Sequence, residues 1–286
     1  MTAIVKLGLP KGRMQEGIFK LLGDAGIQLR TGSRGYRPSI NLQGFEVKVL
    51  KPQNIVEMLE AGSRDLGFAG ADWVAELGAH VVELLDTGLD PVRLVAAAPS
   101  ALLVNGALPK RMLVLASEYQ NLAKQWIAKS GIDAKFVRSY GATEVFPPED
   151  ADCIIDNTAT GATLIANGLA IVGEVMRSST RLYAHPKALE DRAKREAIEH
   201  VVLLARSVLE ARRRVMLEVN VAAEYLEKLV AVLPCMREPT ISPLHGEGGF
   251  AVKAAVPRDD LPRLIATIKA AGGTDIVVSQ LGQIVP

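Results

Sequence analysis

The sequence is poor in the residues that build metal centres and redox pairs. Its 286 residues include only two cysteines and four histidines. Cys153 lies in an apolar run and Cys235 follows a proline far downstream, so neither has the spacing of a zinc knuckle or a redox dithiol. Both read as reduced thiols. His80, His185, His200 and His245 are scattered, with no His-x-x-x-His pair and no adjacent cysteine, so no motif for a protein-held metal is present. Charge of one sign is missing too. With 33 Lys and Arg against 32 Asp and Glu, the net charge is +1, which gives no bulk field to attract nucleic acid or a membrane surface. Neither is expected as a partner. The longest apolar stretch, near residues 94–104, is broken by Pro99 and Ser100 and falls short of the ~20 residues a membrane span needs. The first residues show no basic region followed by a continuous apolar core, so the expectation is a cytoplasmic enzyme. At 49% hydrophobic content the chain can bury a substantial core and is long enough for two or three domains.

What is present is concentrated in Asp152-Cys-Ile-Ile-Asp-Asn-Thr-Ala-Thr-Gly-Ala-Thr163. An apolar strand runs into an acid and then into a small, hydroxyl-rich turn, after which Leu164, Ile165 and Ala166 resume an apolar pattern that ends at Gly168. Backbone N–H groups at the start of that helix, with Gly161 allowing close approach and Thr158, Thr160 and Thr163 supplying hydroxyls, form a cradle suited to a phosphate. Asp156 would repel a phosphate but can accept hydrogen bonds from two ribose hydroxyls. Together they point to a sugar phosphate, although a capped turn fits the same residues. No Lys follows the glycine as a nucleoside-triphosphate P-loop requires, and the three glycines of a dinucleotide fingerprint are missing.

Along the chain, strand and helix patterns alternate. A strand at 4–9 leads through Lys11-Gly-Arg13 into a helix carrying Met14, Ile18, Leu21, Leu22 and Ala25; a strand around Val47 and Val49 precedes a helix opened by Pro52 and closed by Gly62; residues 65–70 form a short strand before Asp72. From Val92 the pattern restarts, with strands at 92–98 and 112–116, a helix with Ser117 and Gln120 as a capping box and Gly131 as its stop, and further strands at 135–138, 171–176 and 181–185. Pro186 opens one long helix with Leu189, Ala193, Ala197, Val201, Leu204 and Val208 inward. This order predicts an α/β region with a mainly parallel sheet, two lobes and a cleft between them at the strand carboxyl ends. Beyond Glu210-Ala-Arg-Arg-Arg214 the order is βαββαβ, a ferredoxin-like module. The expected division is residues 1–92 with 182–211 as lobe I, 93–181 as lobe II and 212–286 as a separate domain.

Taken together, Gly8-Leu-Pro-Lys-Gly-Arg13, Lys51-Pro-Gln-Asn-Ile55, Asp65-Leu-Gly-Phe-Ala-Gly-Ala-Asp72, Gly141-Ala-Thr-Glu144, residues 151–169 and Glu238-Pro-Thr-Ile-Ser-Pro-Leu244 resemble ATP phosphoribosyltransferase of the long, histidine-regulated form. The resemblance covers nearly the whole chain. It implies two lobes like those of periplasmic solute-binding proteins and a C-terminal ACT-like regulatory domain. It implies Mg²⁺-dependent transfer of phosphoribose from phosphoribosyl pyrophosphate to N1 of ATP with release of pyrophosphate, the first step of histidine biosynthesis. On this pattern Lys11 and Arg13 are catalytic cations. Asp156, Thr158, Ala159, Thr160, Gly161, Ala162 and Thr163 hold ribose and 5-phosphate. Lys51, Asp72, Tyr119 and Glu144 serve ATP, while Asn220, Thr240 and Ser279 are candidates for bound histidine, an allosteric inhibitor. Magnesium would travel with the substrate, without a protein metal cage. A homo-oligomer from dimer to hexamer is expected, with no separate regulatory subunit. Lys51 stands where the family commonly has arginine, and Gln120 where a proline is usual after the tyrosine. The competing readings are a nucleobase phosphoribosyltransferase and a non-catalytic bilobal solute-binding protein.

Overall fold

A computed structural model describes residues 3–30, 35–246 and 248–285. The chain begins with strand β1 (Val5–Pro10), whose Val5, Leu7 and Leu9 are fully buried, and helix α1 (Arg13–Asp24). Two antiparallel strands of two residues each, β2 (Leu29–Arg30) and β3 (Ser39–Ile40), precede β4 (Phe45–Leu50). Helix α2 (Pro52–Glu60) opens on proline at its first turn and buries Ile55, Val56 and Leu59; β5 (Leu66–Gly70) is buried throughout and runs directly into α3 (Ala71–Leu77). Asp72 thus lies inside the first turn of α3, where its charge suits the helix N-terminus, and Gly70 takes the capping position.

Two long strands then organise the sheet. Residues 92–98 belong to β6 (Val82–Pro99), and the two strands expected at 171–176 and 181–185 are one, β10 (Leu169–Ala184). Between them lie β7 (Leu113–Ser117), α4 (Gln120–Ser130), β8 (Ala134–Arg138), β9 (Cys153–Thr158) and the short helix α5 (Ala162–Ala166). Strands β1 and β4 to β10 join one eight-stranded sheet in the order β4-β1-β5-β10-β6-β9-β7-β8. The mainly parallel sheet of the sequence reading needs correction. β4-β1-β5 and β9-β7-β8 are parallel blocks, but β10 and β6 are antiparallel to each other, and each is antiparallel to the block it touches.

Register shows why the strand ends still converge. Gly70 at the tip of β5 pairs with Thr180, which pairs with Leu89; Thr158 at the tip of β9 pairs with Arg93. The two tips therefore point at each other across the segment from Leu89 to Arg93, a span of roughly 13 Å at strand rise. At this crossing β6 bulges. Thr180 pairs with Leu89 and Arg181 with Asp86, so Thr87 and Gly88 are looped out, with Gly88 at φ 65° and Asp90 at φ 48°. The Thr87 hydroxyl donates to the Thr180 carbonyl (2.5 Å), and the Thr180 hydroxyl donates to Asp90 Oδ2 (2.8 Å).

The long helix expected from Pro186 is two. Helix α6 (Pro186–Glu190) stops at Asp191, which has extended backbone and accepts the N–H of Lys194 at 3.1 Å, capping α7 (Arg192–Arg212). The buried face of α7 carries Ile198, Val201, Ala205 and Val208, whereas Ala193 is exposed. By its internal contacts the chain divides into two units, one holding Ile27–Glu199 and the chain up to Lys20, the other Leu21–Gly26 and the chain from His200. The second unit contains β11 (Arg214–Val221), α8 (Leu226–Val230), β12 (Thr240–Pro243), β13 (Phe250–Pro257), α9 (Leu261–Ala270) and β14 (Gly273–Gln280). Its antiparallel sheet has the order β12-β13-β11-β14, the ferredoxin-like arrangement expected of βαββαβ. Val215, Leu217, Val219 and Val221 alternate inward and pack against Leu229, Leu264 and Ile268 of its helices.

Candidate active site

β9 delivers the acid and the turn together. Cys153, Ile154 and Ile155 are fully buried, which fixes the strand, and Asp156, Asn157 and Thr158 emerge at its tip. Gly161 adopts φ 86°, a left-handed conformation that only glycine takes without strain, and reverses the chain into α5. The threonines close the turn on itself. Thr158 Oγ1 accepts the N–H of Gly161 at 2.8 Å and Thr160 Oγ1 accepts that of Ala162 at 3.3 Å. Those two N–H groups are therefore engaged, which amends the cradle read from sequence. The N–H groups of Thr163 and Leu164 precede any helical acceptor and have no partner among the described residues. A hydroxyl that accepts keeps its own proton to donate, so Thr158 and Thr160 can still serve a ligand. Helix α5 has only five residues, so local N–H groups matter here more than a long dipole.

A cavity of about 300 Å³ opens over this turn, lined by Arg13, Glu144, Asn157, Thr163 and Leu164 together with Asp156. The structure thus brings the first residue of α1 and an acid from the 139–145 loop to the tip of β9. That loop is held by a 2.7 Å hydrogen bond between the Ser139 and Thr143 hydroxyls, and Ala142 takes the left-handed region at φ 48°. Burial pushes the Asp156 carboxyl up to about 6; the Asn157 N–H opposes this at 2.7 Å, and Glu144 and Glu118 add to the rise by repulsion.

Lys11, Lys51, Asp72 and Tyr119 are not among the residues that line this cavity. Lys11 and Lys51 leave the adjacent tips of β1 and β4, where the Lys11 N–H bonds the Leu50 carbonyl at 2.8 Å; the Lys11 ammonium lies 5.8 Å from the centre of the Tyr36 ring. Asp72 and Tyr119 are 4% and 1% exposed, and neither lines the cavity. The Tyr119 hydroxyl donates to Asp72 Oδ2 at 2.6 Å, and its ring stacks on Trp73 at 4.6 Å. Expected as ATP contacts, both side chains are spent on each other in this conformation. Burial, then the Asp72 charge, pushes the Tyr119 phenol far up, so it stays a donor.

Two residues that the sequence reading left without a role stand out. Asn157 lines the cavity and donates its amide to the Tyr119 hydroxyl at 3.1 Å; its position beside Asp156 was the available signal. Glu76, 4% exposed, accepts the N–H groups of Asn121 (3.0 Å) and Leu122 (2.9 Å), and so caps α4. The Ser117–Gln120 capping box does not form. Ser117 ends β7, where its hydroxyl donates to the Ile155 carbonyl (2.6 Å) and accepts the Tyr119 N–H (3.0 Å). In the C-terminal unit, Thr240 and Ser279 lie on opposite edge strands, three strand spacings or roughly 14 Å apart, with Asn220 between them and bonded to Asp275 at 3.2 Å. One chain alone does not gather them into a pocket.

Comparison with known proteins agrees with this architecture. A family model described as ATP phosphoribosyltransferase matches residues 51–206, and the model of that family's C-terminal domain matches residues 211–283. An ATP phosphoribosyltransferase of Pelotomaculum thermopropionicum is 35% identical over 99% of this chain and 99% of its own length; one of Chlorobium phaeobacteroides is 34% identical over 99% and 98%. Among solved structures, the ATP phosphoribosyl transferase (HisG:HisZ) complex from Thermotoga maritima superposes with a TM-score of 0.63 at 22% identity, covering 71% of this chain and 99% of that one, a likeness of fold. With sequence relatives matched end to end, and the family's C-terminal domain carried on the same polypeptide, the chain belongs to the ATP phosphoribosyltransferase family in its long form.

Proposed function

We propose that the cavity at the tip of β9 is the phosphoribose half of the family's reaction, the transfer of phosphoribose to ATP that begins histidine biosynthesis. One observation carries this reading: the Asp156 carboxylate, the backbone of Thr163 and Leu164 with N–H groups that have no partner among the described residues, and Arg13 share one cavity of about 300 Å³. Asp156 would accept the ribose hydroxyls, while the N–H groups of Thr163 and Leu164, with the Thr158 and Thr160 hydroxyls, would take the 5-phosphate.

In the reaction, the bond from the anomeric carbon to the pyrophosphate oxygen breaks as N1 of ATP approaches the opposite face. N1 is a weak nucleophile, so positioning and neutralisation of the leaving group matter more than a strong base. Arg13 lies at the cavity, and Lys11 and Lys51 stand at neighbouring strand tips, placed to draw charge from the phosphates. Lys51 would act as a point charge, without the bidentate grip of an arginine. Glu144 and Asp156 are hard oxygen donors that repel each other in one cavity, a setting that suits Mg²⁺ with its remaining ligands from phosphate and water. The ion would neutralise the departing pyrophosphate.

Histidine inhibition through the C-terminal unit, a homo-oligomer of up to six chains, activity without a separate regulatory subunit and a cytoplasmic location complete the reading. That no described helix is long and apolar enough to cross a membrane is compatible with it. Incubation with phosphoribosyl pyrophosphate, Mg²⁺ and either ATP or a panel of nucleobases, followed by pyrophosphate assay, tests it. Release with ATP is expected; release with a nucleobase alone would overturn it.

A further inference from the structure

A continuous set of hydrogen bonds joins the ribose carboxylate to the opposite side of the strand crossing. The Asn157 N–H donates to Asp156 Oδ1 (2.7 Å), and the Asn157 amide donates to the Tyr119 hydroxyl (3.1 Å). That hydroxyl donates to Asp72 Oδ2 (2.6 Å), and the Ser178 hydroxyl donates to Asp72 Oδ1 (2.7 Å) while accepting the Asp72 N–H (3.1 Å). Asp72 belongs to α3 at the tip of β5, Ser178 to β10, Tyr119 to the start of α4 and Asn157 to β9. Tyr119 is gripped twice by β9, through its ring hydroxyl and through its own N–H, which bonds the Ser117 hydroxyl that in turn holds the Ile155 carbonyl.

We propose that Tyr119 is a positioning residue for phosphoribose, which acts through Asn157 to hold Asp156 and the turn after it, with buried Asp72 and Ser178 as the anchor. Three points support this over direct contact with ATP. Tyr119 is 1% exposed, its hydroxyl is already both donor and acceptor, and the cavity wall it reaches is Asn157. The geometry also couples the two residues. Asn157 cannot leave its place without its amide giving up the Tyr119 hydroxyl, which is itself fixed by its bond to Asp72. The proposal rests on the reading of Asp156 as the ribose ligand.

The test measures equilibrium affinity for phosphoribosyl pyrophosphate with Mg²⁺, and separately for ATP, in the full-length protein. Tyr119→Phe keeps the ring and its stack on Trp73 but removes the hydroxyl; Asn157→Ala cuts the same link from the other side. Each should weaken phosphoribosyl pyrophosphate roughly fivefold to tenfold and leave ATP affinity within about twofold. The double variant should be little worse than the worse single variant, since both break one chain. Unchanged affinity overturns the proposal, as does a selective loss of ATP affinity or full additivity of the two substitutions. Asp156→Asn separates the premises. If it leaves phosphoribosyl pyrophosphate affinity untouched, the ribose assignment itself fails; if it weakens binding while Tyr119→Phe and Asn157→Ala do not, only the positioning role fails.

Discussion

Burial brings the Asp156 carboxyl toward neutral pH. It is raised from 3.8 to about 6, chiefly by burial, so folding favours its protonated form. The stability it contributes is therefore present below its ordinary value and is lost as pH rises from about 4 to about 6. Ligand binding runs the other way, because ribose hydroxyls donate best to the ionised carboxylate. Affinity for phosphoribosyl pyrophosphate should fall as pH drops through about 6, approaching tenfold per pH unit below it. The substrate's own 5-phosphate titrates near the same pH, at about 6. Asp156→Asn supplies the control: calorimetric titrations should show its pH dependence flattened relative to wild type. A profile that keeps the wild-type slope would assign the titration to the phosphate. Burial acts in the same direction on Cys153 of the same strand, whose thiol is pushed up to about 12 and stays protonated.

At the scale of elements, the start of α4 shows what sequence reading reaches and what it does not. The helix, its Gly131 stop in the left-handed region and the strands on either side follow from local pattern. Its cap does not, because Glu76 comes from another helix, 45 residues upstream of Asn121. Replacing Glu76 with Ala would take the acceptor from the buried Leu122 N–H and from the part-buried Asn121 N–H, and thermal melts should show a loss of roughly 1–2 kcal/mol. Gln120 offers the converse test. It sits at the first helical position and Tyr119 before it has φ −93° and ψ 80°, outside the helical region, so Gln120→Pro should be neutral or stabilise by up to about 1 kcal/mol in the same melts. The long strands were hidden for a related reason. Charged and glycine positions between 86 and 90, and the polar run Ser178 to Thr180, break the alternation that marks a strand, yet they carry the hydrogen bonds of the crossing.

At the scale of the molecule, the turn that floors the cavity was legible because residues 156–164 are contiguous, while the Asp72–Tyr119–Asn157 set was not, since it forms only when separate strands are brought together. The same holds for the C-terminal unit. Its strand order was readable, but a histidine site spread over Asn220, Thr240 and Ser279 would need more than one chain or a different choice of residues. Titration of the full-length enzyme with histidine should give inhibition that Asn220→Ala weakens severalfold without altering uninhibited turnover. Unchanged inhibition in that variant would move the site elsewhere on the unit.

The looped-out Thr87 and Gly88 sit where the two long strands cross, beside the tips of β5 and β9. Two long strands side by side behave as a leaf spring: they resist stretching and sliding and yield to flexing and torsion. An opening of the cleft that flexed at this bulge would turn about an axis close to Gly70 and Thr158. Points near a pivot travel least. The ribose end of the substrate would therefore be held almost still while the outer rims of the cleft swing, leaving sugar geometry insensitive to how far the enzyme has closed.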